Sequence, residues 1–435
     1  MSFQLSCCGF YRTKGAYVFR CVIAMTFLIF LGASSLSFAA PVKTGAQILA
    51  GEDFSPLRGK KFALVTNHTA VVDGIHLMDL MIKAQVPPAV VFTPEHGLKG
   101  TAEDGIHIGN GTCDGIPVRS LYGSAKKPKQ EDLKDIDLVV FDIQDVGVRF
   151  YTYISTMGLV MEAAAEKGIP FMVLDRPNPL GGNYVAGFVR KELPATFTSF
   201  YPIPVAHGMT VGEMALMIKG AGMLPGLAQL EIIVVRMEGW QRWMRWPDTG
   251  LTWLPTSPNI PDFESALLYP GIGLLEATNA SEGRGTDRPF RLAGIPGLDR
   301  AAVAKKLNRQ ELAGIHFDAV QFTPLSLPGK SSLPKQMNKT VDGVELVIDD
   351  YLAVQPVEVG IAVVSELYDG LSPAERRTFF RHGFEDMAGS NLARQAVEEG
   401  KSPEEITHLW AEEIADFLQL RKNYLLYVDE PTRQI

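Results

Sequence analysis

With 435 residues the chain exceeds the ~250–300 at which one hydrophobic core stops growing, so two domains are the starting expectation. Apolar residues make up 46% and charged residues 21%, which excludes a disordered or fibrous chain. A net charge of −8 argues against a nucleic-acid binder, which normally shows a basic face.

The N-terminus reads as a secretory signal. Arg12, Lys14 and Arg20 stand without an acid up to that point, the apolar run Cys21–Gly32 follows, and Ser37-Phe38-Ala39 gives a small-x-small cleavage pattern. The run is shorter than the ~20 residues of a membrane span. Residues 1–39 are therefore expected to be removed, leaving a periplasmic or extracellular protein with no stable membrane insertion. Cys7, Cys8 and Cys21 leave with the signal and Cys113 stays alone, so no intrachain disulfide is expected and the fold must rest on its core.

Short apolar runs then recur along the chain: Lys61–Thr66, Ala89–Thr93, Ile136–Phe141, Pro170–Leu174, Ile203–Ala206 and Leu230–Val235. Continuous runs of this kind suit parallel strands buried on both faces. Amphipathic stretches at 75–85, 153–167 and 210–222 lie between them. The alternation predicts an α/β fold, a Rossmann-like, doubly wound and mostly parallel sheet, over residues 40–265. A Trp- and Pro-rich stretch from Trp240 to Pro261 reads as a linker or cleft wall. Residues 266–435 read as a second, smaller α+β domain, with a strand at Val344–Ile348 and helices from Ser372 through Tyr424, one of them starting at Ser402-Pro-Glu-Glu.

In open α/β sheets ligands sit beyond the carboxyl ends of the strands. Here those ends are polar. Asn67-His68 follows the first run, Glu95-His96-Gly97 the second, and Asp142-Ile-Gln144-Asp145 the third, with Arg149, Tyr151 and Tyr153 close behind. Asp175-Arg176-Pro-Asn178 follows the fourth and His207-Gly208 the fifth. No Gly-x-Gly-x-x-Gly opens a helix, and Gly109-Asn-Gly111 reads as a turn; no Walker-type Gly-x-x-x-x-Gly-Lys-Ser/Thr, Gly-x-Ser-x-Gly or His-Glu-x-x-His occurs. No nucleotide cofactor is expected. His68, Glu95, His96, Asp142 and His207 are of types that bind zinc, without a tight spacing to support it.

Carboxylate chemistry remains. Glycoside hydrolysis needs an acid for the leaving oxygen and usually a second carboxylate. Glu95, after a buried strand and beside His96, suits the acid role. Asp142 and Asp175 suit the second role or the gripping of sugar hydroxyls, and either could equally cap a following helix. Arg149, Arg176 and Arg284 are of the type that holds a carboxylate in bidentate fashion. The polar segment Asn279 to Phe290, with Glu282, Arg284 and Thr286, is a candidate lid. Trp240, Trp243, Trp246 and Trp253 are of the type that stacks on sugars, and equally of the type that packs a core.

Taken together, Thr66-Asn67-His68-Thr69, Phe92-Thr-Pro-Glu95-His96-Gly97-Leu98, Phe141 to Tyr153, Leu174-Asp175-Arg176-Pro177-Asn178-Pro179, Pro204 to Thr210, Thr256-Ser257-Pro258-Asn259-Ile-Pro261, Tyr269-Pro270-Gly271 and Asn279 to Phe290 resemble the NamZ-type exo-β-N-acetylmuramidases. The resemblance runs from about residue 45 to 430. It implies a Rossmann-like domain, a smaller C-terminal domain and an active site in the cleft between them, acting on the non-reducing ends of peptidoglycan glycans to release N-acetylmuramic acid. It places the catalytic glutamate at Glu95 and a Glu-Gly-Arg-Gly-Thr loop at Glu282–Thr286. A cysteine expected near Asp342-Gly343 is absent, Thr340-Val341 standing there.

The sequence reading is thus a hydrolase with Glu95 as general acid and His96 and Tyr153 as supports. The partner group stays open among Glu282, Asp142 and the substrate's own 2-acetamido group. Arg149 or Arg284 is expected to read the lactyl carboxylate. A metal-dependent hydrolase using the strand-end histidines and a non-catalytic wall-sugar-binding protein are the alternatives.

Overall fold

The computed structural model describes residues 41–103, 106, 109–123 and 125–427, so the signal segment lies outside the described residues. The strands of the N-terminal half are β1 (Phe62–Thr66), a small hairpin of β2 (Val71–Val72) and β3 (Ile75–His76), β4 (Val90–Thr93), β5 (Gly111–Cys113), β6 (Ile116–Ser120), β7 (Leu138–Asp142), β8 (Phe171–Leu174) and β9 (Ile232–Val235). Among the described residues they build a seven-stranded sheet in the order β5-β6-β4-β1-β7-β8-β9. Every pairing is parallel except the edge pair of β5 with β6. Every residue of β1, β4, β7 and β8 is buried, which is why these strands read as unbroken apolar runs.

The chain winds outward from β1 through β4 to β6, then returns to β7 on the other side of β1. The order reverses between β1 and β7, the position where this class of sheet leaves a crevice. Helices Leu77–Lys83, Tyr153–Lys167 and Val211–Gly220 lie between the strands. Helix Val211–Gly220 is fixed by a capping box, with Thr210 bonded to the Glu213 amide and Glu213 bonded back. Helix Tyr153–Lys167 ends on Gly168, whose φ of 73° suits a residue without a Cβ.

Two expectations are corrected. Ile203–Ala206 is not a strand: only isolated bridges from Ala206 to Val148 and Ala186 form there, and Pro204 has no N–H to offer a ladder. Gly111 does not close a turn but begins the antiparallel edge strand β5, which pairs Gly111 with Val118.

In the C-terminal half, β10 (Leu292–Ile295), β12 (Val341–Ile348) and β11 (Ile315–Phe322) form an antiparallel sheet in that order. Helices Arg300–Asn308 and Pro356–Asp369 accompany it, followed by shorter helices that include Pro403–His408 with its Ser402 capping box. Helix Phe263–Ile272 crosses helix Pro356–Asp369 glycine on glycine: a Cβ on Gly360 would lie 2.2 Å from the Cα of Gly271. That contact lies beside the sequence boundary at 265/266, and the buried core is continuous across it, joining Phe141, Tyr269, Val363 and Phe417. Pro41 onward forms one compact unit. Among the described residues no helix is long and apolar enough to cross a membrane.

Candidate active site

Strand β4 delivers its carboxyl end into a sharp turn rather than a helix. After Pro94 the chain passes through Glu95 to His96 and Gly97, which take φ values of 69° and 72°, and the Gly97 amide bonds back to the Pro94 carbonyl. A left-handed histidine is uncommon and costs of order ~1–3 kcal/mol, the kind of strain that clusters at functional sites. The His96 ring Nδ1 donates to the Ala102 carbonyl at 2.7 Å, which anchors the ring. Glu95 is left half-buried, and Thr152 donates its hydroxyl to it at 2.9 Å. Thr152 is the N-cap of helix Tyr153–Lys167, yet makes no side-chain cap bond. Its hydroxyl faces the glutamate instead, at the expense of the ~1 kcal/mol that a cap contributes.

Glu95 and His96 line a cavity of about 450 Å³. Aromatic rings form much of its wall: Phe150, Tyr151, Tyr153, Tyr269 and Phe290 meet edge to face, with centroids 4.7–5.8 Å apart. Phe290, fully buried, is a second left-handed residue at φ 62°. The Tyr153 hydroxyl donates to the Thr256 carbonyl at 2.7 Å and accepts from Asn67 Nδ2 at 3.2 Å. Burial pushes both Tyr151 and Tyr153 phenols well above their ordinary pKa, so both stay neutral. The bond to Thr256 ties down the segment whose Ser257 and Ile260 also line the cavity.

The C-terminal half supplies Tyr269, Glu276, Arg284 and Phe290. Arg284 and Phe290 come from the Asn279–Phe290 segment, which therefore reaches the cavity. The segment is internally braced: the Phe290 amide bonds to the Glu282 carbonyl, Thr286 bonds Gly283, and Arg288 pairs with Glu345. Asn279 is held by Thr378 and Gln336 outside the cavity. Arg284 pairs with Glu276 and lies 3.6 Å from Glu282. Glu282 does not line this cavity. It is buried, 2.8 Å from Lys335, and borders an adjoining space of about 540 Å³ that shares Glu276 and Arg284 with the first.

Several strand-end residues are placed elsewhere. Asp142 and Arg176 form a buried bidentate pair at 2.5 and 2.9 Å. Asp175 accepts from Thr210 Oγ1, the Gly212 amide and Tyr427, which caps helix Val211–Gly220, and burial raises its pKa to about 6. Arg149 is wholly buried, and donates to the carbonyls of Phe188, Ile203 and Met387. Asn178 bonds Met209 and the Leu180 amide. His207 is buried, accepts from the Met209 amide and is held neutral, its pKa lowered to about 3 by burial. His68 Nε2 donates to the Pro255 carbonyl at 2.5 Å, and Gln144 donates to the Asp145 and Pro177 carbonyls. None of these lines the first cavity. Among the described residues no group of three or more His, Cys, Asp or Glu side chains converges as metal ligands would. Trp240 packs on Tyr427 and Trp246 on Trp253, while Trp243 is exposed; none lines this cavity.

Residues 62–264 match the family "Exo-beta-N-acetylmuramidase NamZ, N-terminal", and residues 267–427 match "Exo-beta-N-acetylmuramidase NamZ, C-terminal". The chain is also 39% identical over 390 residues to the peptidoglycan beta-N-acetylmuramidase NamZ of Bacillus subtilis (strain 168), covering 89% of this chain and 91% of that protein. The chain belongs to the NamZ family. It is a glycoside hydrolase of the exo-β-N-acetylmuramidase type. Two DUF1343 family proteins from Bacteroides fragilis NCTC 9343 share the fold. One has a TM-score of 0.79 at 35% identity, over 89% of this chain and 99% of that one. The other has a TM-score of 0.74 at 33% identity, over 90% and 100%.

Sequence reasoning missed several members of the NamZ cavity here. Glu276 follows the apolar stretch Gly271-Ile-Gly-Leu-Leu275, which looks like core; its acid at the end of that run was the available signal. Lys126 sits in a Lys-Lys-Pro turn that looks merely solvated, and its ammonium lies 4.1 Å from the centre of the Phe197 ring. Thr152 hides as an ordinary N-cap.

Proposed function

We propose that the chain releases N-acetylmuramic acid from the non-reducing ends of peptidoglycan-derived glycans, with Glu95 as general acid. The observation that carries this is Glu95 itself: a carboxyl fixed by Thr152 in an aromatic-walled cavity of about 450 Å³, room for a terminal sugar and little more. Glu95 gives its proton to the glycosidic oxygen as the C1–O bond breaks. The departing sugar leaves as an alcohol and positive charge develops at C1. Water then adds at C1, and the Glu95 carboxylate takes the proton that water loses. Glu276 is the other carboxylate lining the cavity and takes over the charge-stabilising place considered for Glu282 and Asp142. The aromatic rings pack the apolar faces of the sugar.

The lactyl carboxylate needs a cation. Arg149 is buried among backbone carbonyls and Arg284 is tied to two glutamates. Lys126 lines the cavity and has no acidic partner among the described residues, which favours it as the reader of that carboxylate. Residues 1–39 are proposed to direct export and to be cleaved after Ala39, a reading that N-terminal sequencing of the exported protein tests.

The deciding experiment is turnover of a chromogenic β-N-acetylmuramic acid glycoside by Glu95→Gln, with the N-acetylglucosamine analogue alongside. The wild type should act on the muramic compound, and the variant should lose at least ~10²-fold in kcat, as general-acid catalysis contributes. A folded variant turning over at near wild-type rate removes Glu95 from the role.

A further inference from the structure

A third cavity, of about 380 Å³, opens at the point where the strand order reverses. It is lined by Thr69, two residues beyond Asn67 at the end of β1, by Gln144 after β7 and by Arg176 after β8. This is the crevice in which open α/β sheets hold their ligands, and it is separate from the cavity of Glu95, with which it shares no lining residue.

Its polar groups are fixed and incompletely used. The Gln144 amide nitrogen donates to the carbonyls of Asp145 and Pro177, both at 2.8 Å, which sets the orientation of the amide. Gln144 Oε1 is thereby left buried with no hydrogen-bond partner among the described residues, in a residue only 3% exposed. Trp246, 6% exposed, lines the same cavity and its buried Nε1–H likewise has no partner among the described residues. Arg176 engages Asp142 through Nε and Nη2, and no hydrogen bond among the described residues uses its Nη1. A buried acceptor and a buried donor left open each cost of order ~1–3 kcal/mol, so a native site is expected to fill them.

The charge balance selects the ligand. Arg176 is neutralised by Asp142, and the remaining charged lining residue is Asp73, so the cavity has no spare positive charge for a phosphate or carboxylate. Val71, Leu251, Leu254 and the Trp246 indole give the lining its apolar part. A volume of 380 Å³ lies at the small end of the ~300–1,000 Å³ of ligand pockets, and is about a dozen waters' worth at ~30 Å³ each.

We infer that this crevice is a second saccharide site, which takes a neutral N-acetylhexosamine through Gln144 Oε1, Arg176 Nη1 and Trp246 Nε1. The acetamido N–H meets Gln144, its carbonyl meets the donors, and the sugar's C–H face lies on the apolar part of the lining. The choice of an acetamido sugar rests on the peptidoglycan reading above, since those glycans carry a neutral N-acetylhexosamine beside each muramic acid. A site of this kind would hold a glycan by a sugar other than the one being cleaved. It also adjoins the active cavity through hydrogen bonds: Thr69 bonds Asn67 Oδ1 at 2.6 Å, and Asn67 Nδ2 bonds Tyr153.

The test is calorimetric titration of methyl β-N-acetylglucosaminide into the wild type, Glu95→Gln, Gln144→Met and Leu254→Trp, with thermal melts as a folding check. The expected result is saturable binding that Glu95→Gln keeps and that both crevice variants weaken about tenfold or more, equivalent to ~1.4 kcal/mol. Leu254→Trp, which fills the crevice, should still hydrolyse the muramic glycoside. Equal binding by all four proteins, binding competed away by free N-acetylmuramic acid, or no saturable binding at all would each overturn the inference. The last case would leave the open atoms to ordered water. Hydrolysis by Glu95→Gln is read separately and bears only on the catalytic assignment.

Discussion

Tyr153→Phe isolates one oxygen atom in the lining of the Glu95 cavity. The ring keeps its packing against Tyr151, whose centroid is 4.7 Å away, so no void larger than a hydroxyl opens. What disappears is a donor to the Thr256 carbonyl at 2.7 Å and an acceptor for Asn67 Nδ2 at 3.2 Å. Asn67 and Thr256 are both fully buried, so water does not replace the lost partner. Each orphaned group costs ~1–3 kcal/mol, and partial relaxation of the weaker Asn67 bond brings the expected total to about 2–4 kcal/mol. Because burial raises the phenol's pKa well above its ordinary value, the hydroxyl is neutral at every working pH, and the loss should be the same at pH 6 and pH 8. Urea denaturation measures it: the midpoint should fall with an unchanged slope. Activity should fall as well, since Thr256 anchors the segment that brings Ser257 and Ile260 to the cavity, and a displacement near 1 Å costs up to ~10²-fold. A Tyr153→Phe protein within ~0.5 kcal/mol of wild type, with unchanged kcat/KM, would refute the view that this hydroxyl holds the lining in place.

Three further outcomes are expected. Lys126→Ala should raise KM for a muramic glycoside several-fold and leave kcat nearly unchanged, as loss of a partly solvated charge-assisted contact does; parallel kinetics on the N-acetylglucosamine analogue, which lacks the lactyl group, should show no such change. Gly360→Ala should destabilise by at least ~1–3 kcal/mol in a thermal melt, because its Cβ would meet the Gly271 backbone at 2.2 Å and only a backbone shift can relieve that. Burial raises Asp145 from 3.8 to about 7, so its contribution to stability is fully present below pH ~4 and is lost as pH rises through 7. Asp145→Asn cannot ionise, and melts at pH 4 and pH 7 should show wild type losing more stability than the variant, with a ceiling of about 4 kcal/mol at ~1.4 per pKa unit.

The parallel strands were legible because burial on both faces forces apolar residues at every position of β1, β4, β7 and β8. Helix Tyr153–Lys167 and the Ser402 cap were legible because periodicity and capping chemistry are local. The edge strand β5, Gly-Thr-Cys, carries little apolar signal, since it is mostly exposed and held by one neighbour. Ile203–Ala206 shows the reverse error: its apolar character reflects a buried loop, not a ladder.

Polar strand ends mark the functional edge of the sheet, but not which side chain enters the cavity. That depends on what the chain does next and on what arrives from far away. Asp175 is claimed by helix Val211–Gly220, whose Gly212 amide and Thr210 hydroxyl reach it from 37 and 35 residues downstream. Arg149 is claimed by a carbonyl 238 residues away, and Asp142 by Arg176. Glu95 differs because no helix starts directly after β4: two left-handed residues turn the chain away, and the Thr152 hydroxyl donates to its carboxylate. A carboxyl at a strand end is spent on capping where a helix begins directly behind it, as at Asp175, and in this fold a left-handed His96-Gly97 turn, not a helix N-terminus, follows Glu95.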